Sequence, residues 1–116
     1  MKAEYMQRGE ALDYKNTTDA VIPAGSVIAI KTRIGVAGCD IAPGEVGSLH
    51  VMGVFAMDKA SGKEVALGDA LYFDAGAGKI TTEADGNTPA GYAVADAASD
   101  AATVQLSISN PPAAKE

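Results

Sequence analysis

Residues 34–57 read IGVAGCDIAPGEVGSLHVMGVFAM, and residues 65–82 read VALGDALYFDAGAGKITT. Both stretches set short alternating apolar runs between glycine-bearing turns, which is the pattern of consecutive strands rather than helices. Ala42-Pro43-Gly44-Glu45 places glycine at the position of a type II turn that needs positive φ. Ser48 to Met57 predicts the strongest strand. Leu49, Val51, Phe55 and Met57 share one face with Gly53, while Met52, Val54 and Ala56 share the other with His50. A strand apolar on both faces belongs in the middle of a sandwich or barrel, or beneath a partner subunit. Gly53 marks a bend or a close backbone approach.

The same reading extends in both directions. Ala70–Asp74 and Lys79–Thr82 form a predicted hairpin across DAGAG, followed by strands over Ala90–Ala95 and Thr103–Ser109. In the last of these Val104, Leu106 and Ile108 point inward. Asp96 to Ala102 (DAASDAA) reads as a loop. Upstream, Glu10–Tyr14, Ser26–Thr32 and Ile34–Ala37 are predicted strands, with Pro23 second and Gly25 fourth in a type I turn. Ala3–Arg8 alternates like a strand, but neither of its faces is apolar. PAGSV (23–27), APGEV (42–46) and ALGDA (66–70) each place Gly and a polar residue before a strand, at spacings of 19 and 24 residues. Unequal spacing reads as repeated turn usage, which a meandering barrel produces, rather than as a solenoid.

The fold expectation is therefore all-β: one small β-barrel or sandwich with short strands, Gly-rich turns and an extended N-terminal arm. Residues 1–9 are an arm or edge strand, 10–109 the barrel, and 110–116 a flexible tail.

Composition narrows the function. The chain has 116 residues, 47% apolar but only 5% aromatic and without Trp, so its core is thin and subunit contacts would add stability. A net charge of −6 with scattered Lys and Arg argues against nucleic acid, which requires clustered cations. No apolar run suits a membrane span, and MKAEYMQRGE lacks the apolar centre of a signal peptide. The expectation is a soluble protein made in a reducing cytoplasm. Cys39 reads as a small semi-buried filler.

Each motif with a chemical reading has a plainer one. GAGK (76–79) resembles part of a phosphate loop, but Phe73 stands where the first glycine belongs and Ile80 where Ser or Thr belongs. His50 is the only histidine, which falls short of a metal site and reads as a packed or interfacial side chain. Ser48 and Ser61 lack a nucleophile elbow. The acidic residues Asp40, Glu45, Asp58, Asp69, Asp85, Asp96 and Asp100 fall mostly in turns and read as solvated turn carboxylates rather than general acid–base pairs. No catalytic, cofactor-binding or metal-ligating residue is expected. One rival remains: MDKAS (57–61) is similar to the hairpin of lipoyl carrier domains, which would display Lys59 at a turn tip for modification. Met57 stands where that motif carries an acid. A small-ligand-binding barrel is a third reading.

Taken from Tyr5 through Leu106, the chain resembles the tailed-phage capsid cement, or head decoration, proteins. The resemblance lies in the order of Gln7 and Gly9, Ala24–Val27, Gly35–Ala37, Ile41–Glu45, Gly53–Phe55, Gly68–Asp74, Gly78–Thr81 and Gly86–Ala93. It implies a structural protein without enzymatic activity or cofactor, on the outer surface of a phage head. Its implied partners are the major capsid protein, whose subunits it bridges, and copies of itself, commonly as a homotrimer. For capsid contact the candidates are Ala3, Glu4, Tyr5, Met6, Gln7 and Arg8, an extended segment able to add to a sheet edge.

Overall fold

The computed structural model describes residues 1–108, so the expected tail at 110–116 lies outside the described residues. Nine strands form, with no helix among the described residues: β1 Ala11–Lys15, β2 Val27–Ile30, β3 Arg33–Ala37, β4 Val46–His50, β5 Val54–Asp58, β6 Ala70–Asp74, β7 Lys79–Thr81, β8 Thr88–Ala93 and β9 Thr103–Ser107. They build two antiparallel sheets, ordered β1-β4-β3-β2 and β5-β9-β8-β6-β7. The all-β expectation is met, in the form of two curled sheets rather than a closed barrel. The five-stranded sheet bends until its two edges touch at one parallel bridge, Lys59 to Ile80.

Residues 48–57 depart from the single strand expected of them. Gly53, at φ +123°, turns the chain between β4 and β5, which lie in different sheets. The face carrying Leu49, Val51 and Met57 is buried as anticipated, but Met52 and Val54 are exposed. Both faces of an apolar run are covered only where a second layer exists on each side, and here the outer layer is solvent. The Pro23 turn also shifts by one position. Ser26 N–H donates to Pro23 C=O (3.1 Å) and Gly25 has φ +87°, so Pro23 is first and Gly25 third, the place that needs positive φ.

The repeated turns belong to a larger repeat than their spacing indicated: the chain folds as two copies of one four-stranded module. The register Ala11↔His50 through Lys15↔Val46 recurs as Val54↔Ser107 through Asp58↔Thr103. Val27↔Val36 and Ile28↔Gly35 recur as Ala70↔Tyr92 and Leu71↔Gly91. Loop bonds recur too. Gly25 N–H donates to Ala37 C=O, and Gly68 N–H to Ala93 C=O (2.7 and 2.8 Å). Ile22 and Ile41 exchange a pair of backbone bonds, as Val65 and Ala97 do. The Ala24 N–H donates to Asp40 and the Leu67 N–H to Asp96, both at 2.7 Å. Thus β1-β4-β3-β2 corresponds to β5-β9-β8-β6, and β7 is an addition to the second copy.

The shared core is lopsided. Met57, Val65, Leu71, Ile80, Ala90, Ala93, Val104, Leu106 and Ile108 come from the second module, and only Ile34 and Val36 from the first. Burial of apolar area at roughly 25 cal/mol per Å² makes the second module the main source of hydrophobic stabilisation.

Candidate interaction surface

The six residues expected to contact a partner lie together, upstream of β1, and all are exposed. Tyr5 and Met6 are 80% and 79% exposed, among the most accessible large apolar side chains of the molecule. Residues 1–9 join neither sheet, and Arg8 pairs with Glu10 at 3.8 Å. They lead into β1, itself an edge strand, so exposed chain continues directly from a sheet edge.

Two further surface features lie apart from this segment. A cleft of about 460 Å³ lies among Val27, Val36, Phe55, Met57, Phe73 and Ile80, where β2 and β3 of one sheet approach the edges of the other. Across the outside of the five-stranded sheet runs a register row without charge: Val54, Ser107, Tyr92 and Ala70.

The residues with chemical readings take structural places. Lys59 is not at a turn tip: it follows β5, is only 4% exposed, and its Nζ donates to the carbonyls of Ala60 and Ser99 at 2.9 and 3.2 Å. An ammonium buried in this way is not presented to a modifying enzyme, which overturns the carrier expectation. Lys59 occupies the place that Asn16 takes in the first module. Asn16 is fully buried, and its Nδ2 donates to Ala20 and Ile41 carbonyls, both at 2.8 Å. Its Oδ1 accepts from the Thr18 N–H and hydroxyl. Both side chains tie the chain leaving the first strand to a later loop. A buried polar group needs such partners, because leaving it unbonded costs about 1–3 kcal/mol. Sequence reading passed over Asn16; the only signal was its turn sequence NTTD.

In GAGK the backbone is already engaged, since Gly76 and Ala77 N–H donate to Asp74 Oδ1 at 3.1 and 3.2 Å. These donors close a hairpin turn. Among the described residues no group of three or more His, Cys, Asp or Glu is arranged to hold a metal ion. Cys39 is exposed rather than semi-buried, because it falls in the bend after β3. His50 is exposed at the end of β4, with its ring against Gly38.

Compared with known proteins, the chain matches the family model of phage cement proteins over residues 6–108. No curated protein and no solved structure matches it. The match takes in all nine strands and the last part of the exposed N-terminal segment. With nearly the whole chain aligned to that model, the protein belongs to the phage cement protein family, whose members are structural proteins of the phage capsid.

Proposed function

We propose that this chain coats the outer surface of a tailed-phage head and stabilises it by bridging neighbouring major capsid subunits, as a homotrimer. The family match over residues 6–108 is the observation that carries this reading. Supporting it are the acidic net charge, which suits the outside of a shell better than its DNA-facing wall, and a second sheet able to hold a fold while other edges stay open. The protein is made in the host cytoplasm, acts on the virion, and needs no cofactor, nucleic acid or membrane.

The mechanism is mass action. Each copy buries surface on two or more shell subunits, so separating those subunits also breaks that contact. Apolar area contributes roughly 25 cal/mol per Å² before association costs, and a trimer engaging several subunits gains through effective concentration. The N-terminal segment Ala3–Arg8 is the assigned contact, adding as an extended strand to an exposed edge of the capsid protein. Deleting residues 1–8 is expected to abolish co-sedimentation with heads while the thermal unfolding midpoint stays unchanged. Undiminished occupancy on heads refutes the arm assignment, and a wild-type chain that leaves heads bare refutes the function.

A further inference from the structure

The duplicated module carries its own precedent for what covers an open edge. In the second copy the outer edge of β6 is taken by β7, with Tyr72↔Thr81, Phe73↔Ile80 and Asp74↔Lys79 in antiparallel register. Ile80 is thereby driven into the common core. In the first copy the equivalent strand, β2, ends its sheet and no strand among the described residues lies on that edge.

The free groups of that edge follow from the hairpin. Ile30 pairs with Arg33 across the two-residue connection Lys31-Thr32, so the bonds from β2 to β3 fall at Ile28 and Ile30. The N–H and C=O of Val27 and Ala29 face outward. Ala29 holds the place of Tyr72, whose cross-strand partner is Thr81. Lys31 holds the place of Asp74, which faces Lys79. The sign of the charge at that position is therefore reversed between the two copies. Val27 also borders the cleft of about 460 Å³, whose lining includes Asp58 and Lys79.

We propose that β2 is a docking edge for an extended segment of the major capsid protein, added antiparallel where β7 sits in the second module. Its recognition chemistry is an acidic residue facing Lys31 followed by an apolar residue beside Ile30. This rests on the cement reading and adds a second contact to that of the N-terminal segment. An open strand edge is a template for strand addition, in which main-chain bonds supply affinity and alternate side chains supply specificity. Residues Glu4, Tyr5 and Met6 of a second copy carry the same chemistry, so the experiment must separate the two occupants.

The test is hydrogen–deuterium exchange of the full chain, free and bound to heads stripped of it, with the variants Ala29→Pro and Lys31→Glu. Proline at an outward-facing edge position removes one free donor and leaves the β2–β3 ladder intact. Binding to heads is expected to slow exchange at Val27 and Ala29 about tenfold, and Ala29→Pro to weaken head binding by about tenfold, equivalent to roughly 1.4 kcal/mol. Lys31→Glu, which alters an exposed turn and keeps the readout independent of the proline, is expected to weaken binding about threefold to fivefold at low salt. Unchanged exchange in β2 on bound heads, with both variants binding as wild type, overturns the proposal and leaves the cement reading standing. Protection of β2 in the free oligomer that Ala29→Pro abolishes, yielding monomers, assigns the edge to a second copy and equally overturns it. A wild-type chain that does not bind heads sinks both.

Discussion

The two modules share strand order, register and loop bonds, yet they do different physical work. The second supplies nine of the eleven residues of the common core, has its β6 edge covered by β7, and curls until β5 meets β7. The first contributes Ile34 and Val36 to that core, and among the described residues no strand lies outside its two outer strands, β1 and β2. Leu49 and Ile41 are buried in it, but outside the common cluster. One copy thus holds the fold, and the other is held by it and keeps its edges available. Open edges are an aggregation hazard in a free monomer, and in a protein that works by attachment they are where attachment is cheapest to build.

Equivalent positions in the two modules make that difference measurable. The largest contrast is expected between Gly91→Ala and Gly35→Ala. Gly91 has φ +156°, and a Cβ there would collide with the backbone carbonyl of Ser107, which the β8–β9 pairing fixes. At Gly35 a Cβ would lie 2.5 Å from the Cγ of the buried Leu49, a side chain rather than fixed backbone. Urea titration should show a loss above about 4 kcal/mol, or no folded protein, for Gly91→Ala. For Gly35→Ala a loss of about 1–3 kcal/mol is expected. Equal losses would mean that both modules are equally rigid.

Next come Leu106→Ala and Leu49→Ala, equivalent and both fully buried. Leu106 lies within the common cluster and its loss should cost near the upper end of roughly 2–5 kcal/mol, with Leu49→Ala near the lower end. Reversal of that order in denaturant midpoints would contradict the lopsided core. Asn16→Ala and Lys59→Met compare the two buried polar ties. Asn16 engages two carbonyls and accepts twice from Thr18, so its removal should cost about 1–3 kcal/mol. Lys59→Met should cost less, because the thioether chain refills the site and no buried charge remains to be solvated. Thermal unfolding of both variants checks the order.

The smallest effect has the opposite sign. Lys31 is the one non-glycine residue with positive φ (+63°) among the described residues, a conformation that costs an L-residue about 1–2 kcal/mol. Lys31→Gly should therefore raise stability, by about 0.5–1 kcal/mol after the entropy of glycine is counted. An unchanged or lowered unfolding midpoint would place the strain of the first module elsewhere.

Much of this architecture can be read from local sequence. The hairpin at 70–81, the inward set Val104, Leu106 and Ile108, and the turn at Ala42–Glu45 follow from alternation and turn chemistry, which act over a few residues. So did the family resemblance, because its glycines mark turns in a set order. The duplication was not legible. A shift of 43 residues carries Ala11 to Val54 and Ile22 to Val65, but few identities survive it, and the addition of β7 changes the spacing for β3 and β4. A backbone register is kept by hydrogen bonds that almost any residue can make, so it persists where identity does not. Lys59 was misread for a related reason. A lysine between two strands looks like a displayed side chain, and only the approach of Ala60 and Ser99 carbonyls buries it.

By itself, then, the chain's order of residues determined strands, turns and the inward sets of apolar side chains, since these depend on side-chain alternation and on glycine's freedom at positive φ. The assembled fold alone decided that Gly53 divides one apolar run between two sheets, that Asn16 and Lys59 are counterparts, and that β6 is covered while β2 is not. Those outcomes depend on contacts between residues tens of positions apart, whose pairing is selected by the packing of the whole domain and not by any segment within it.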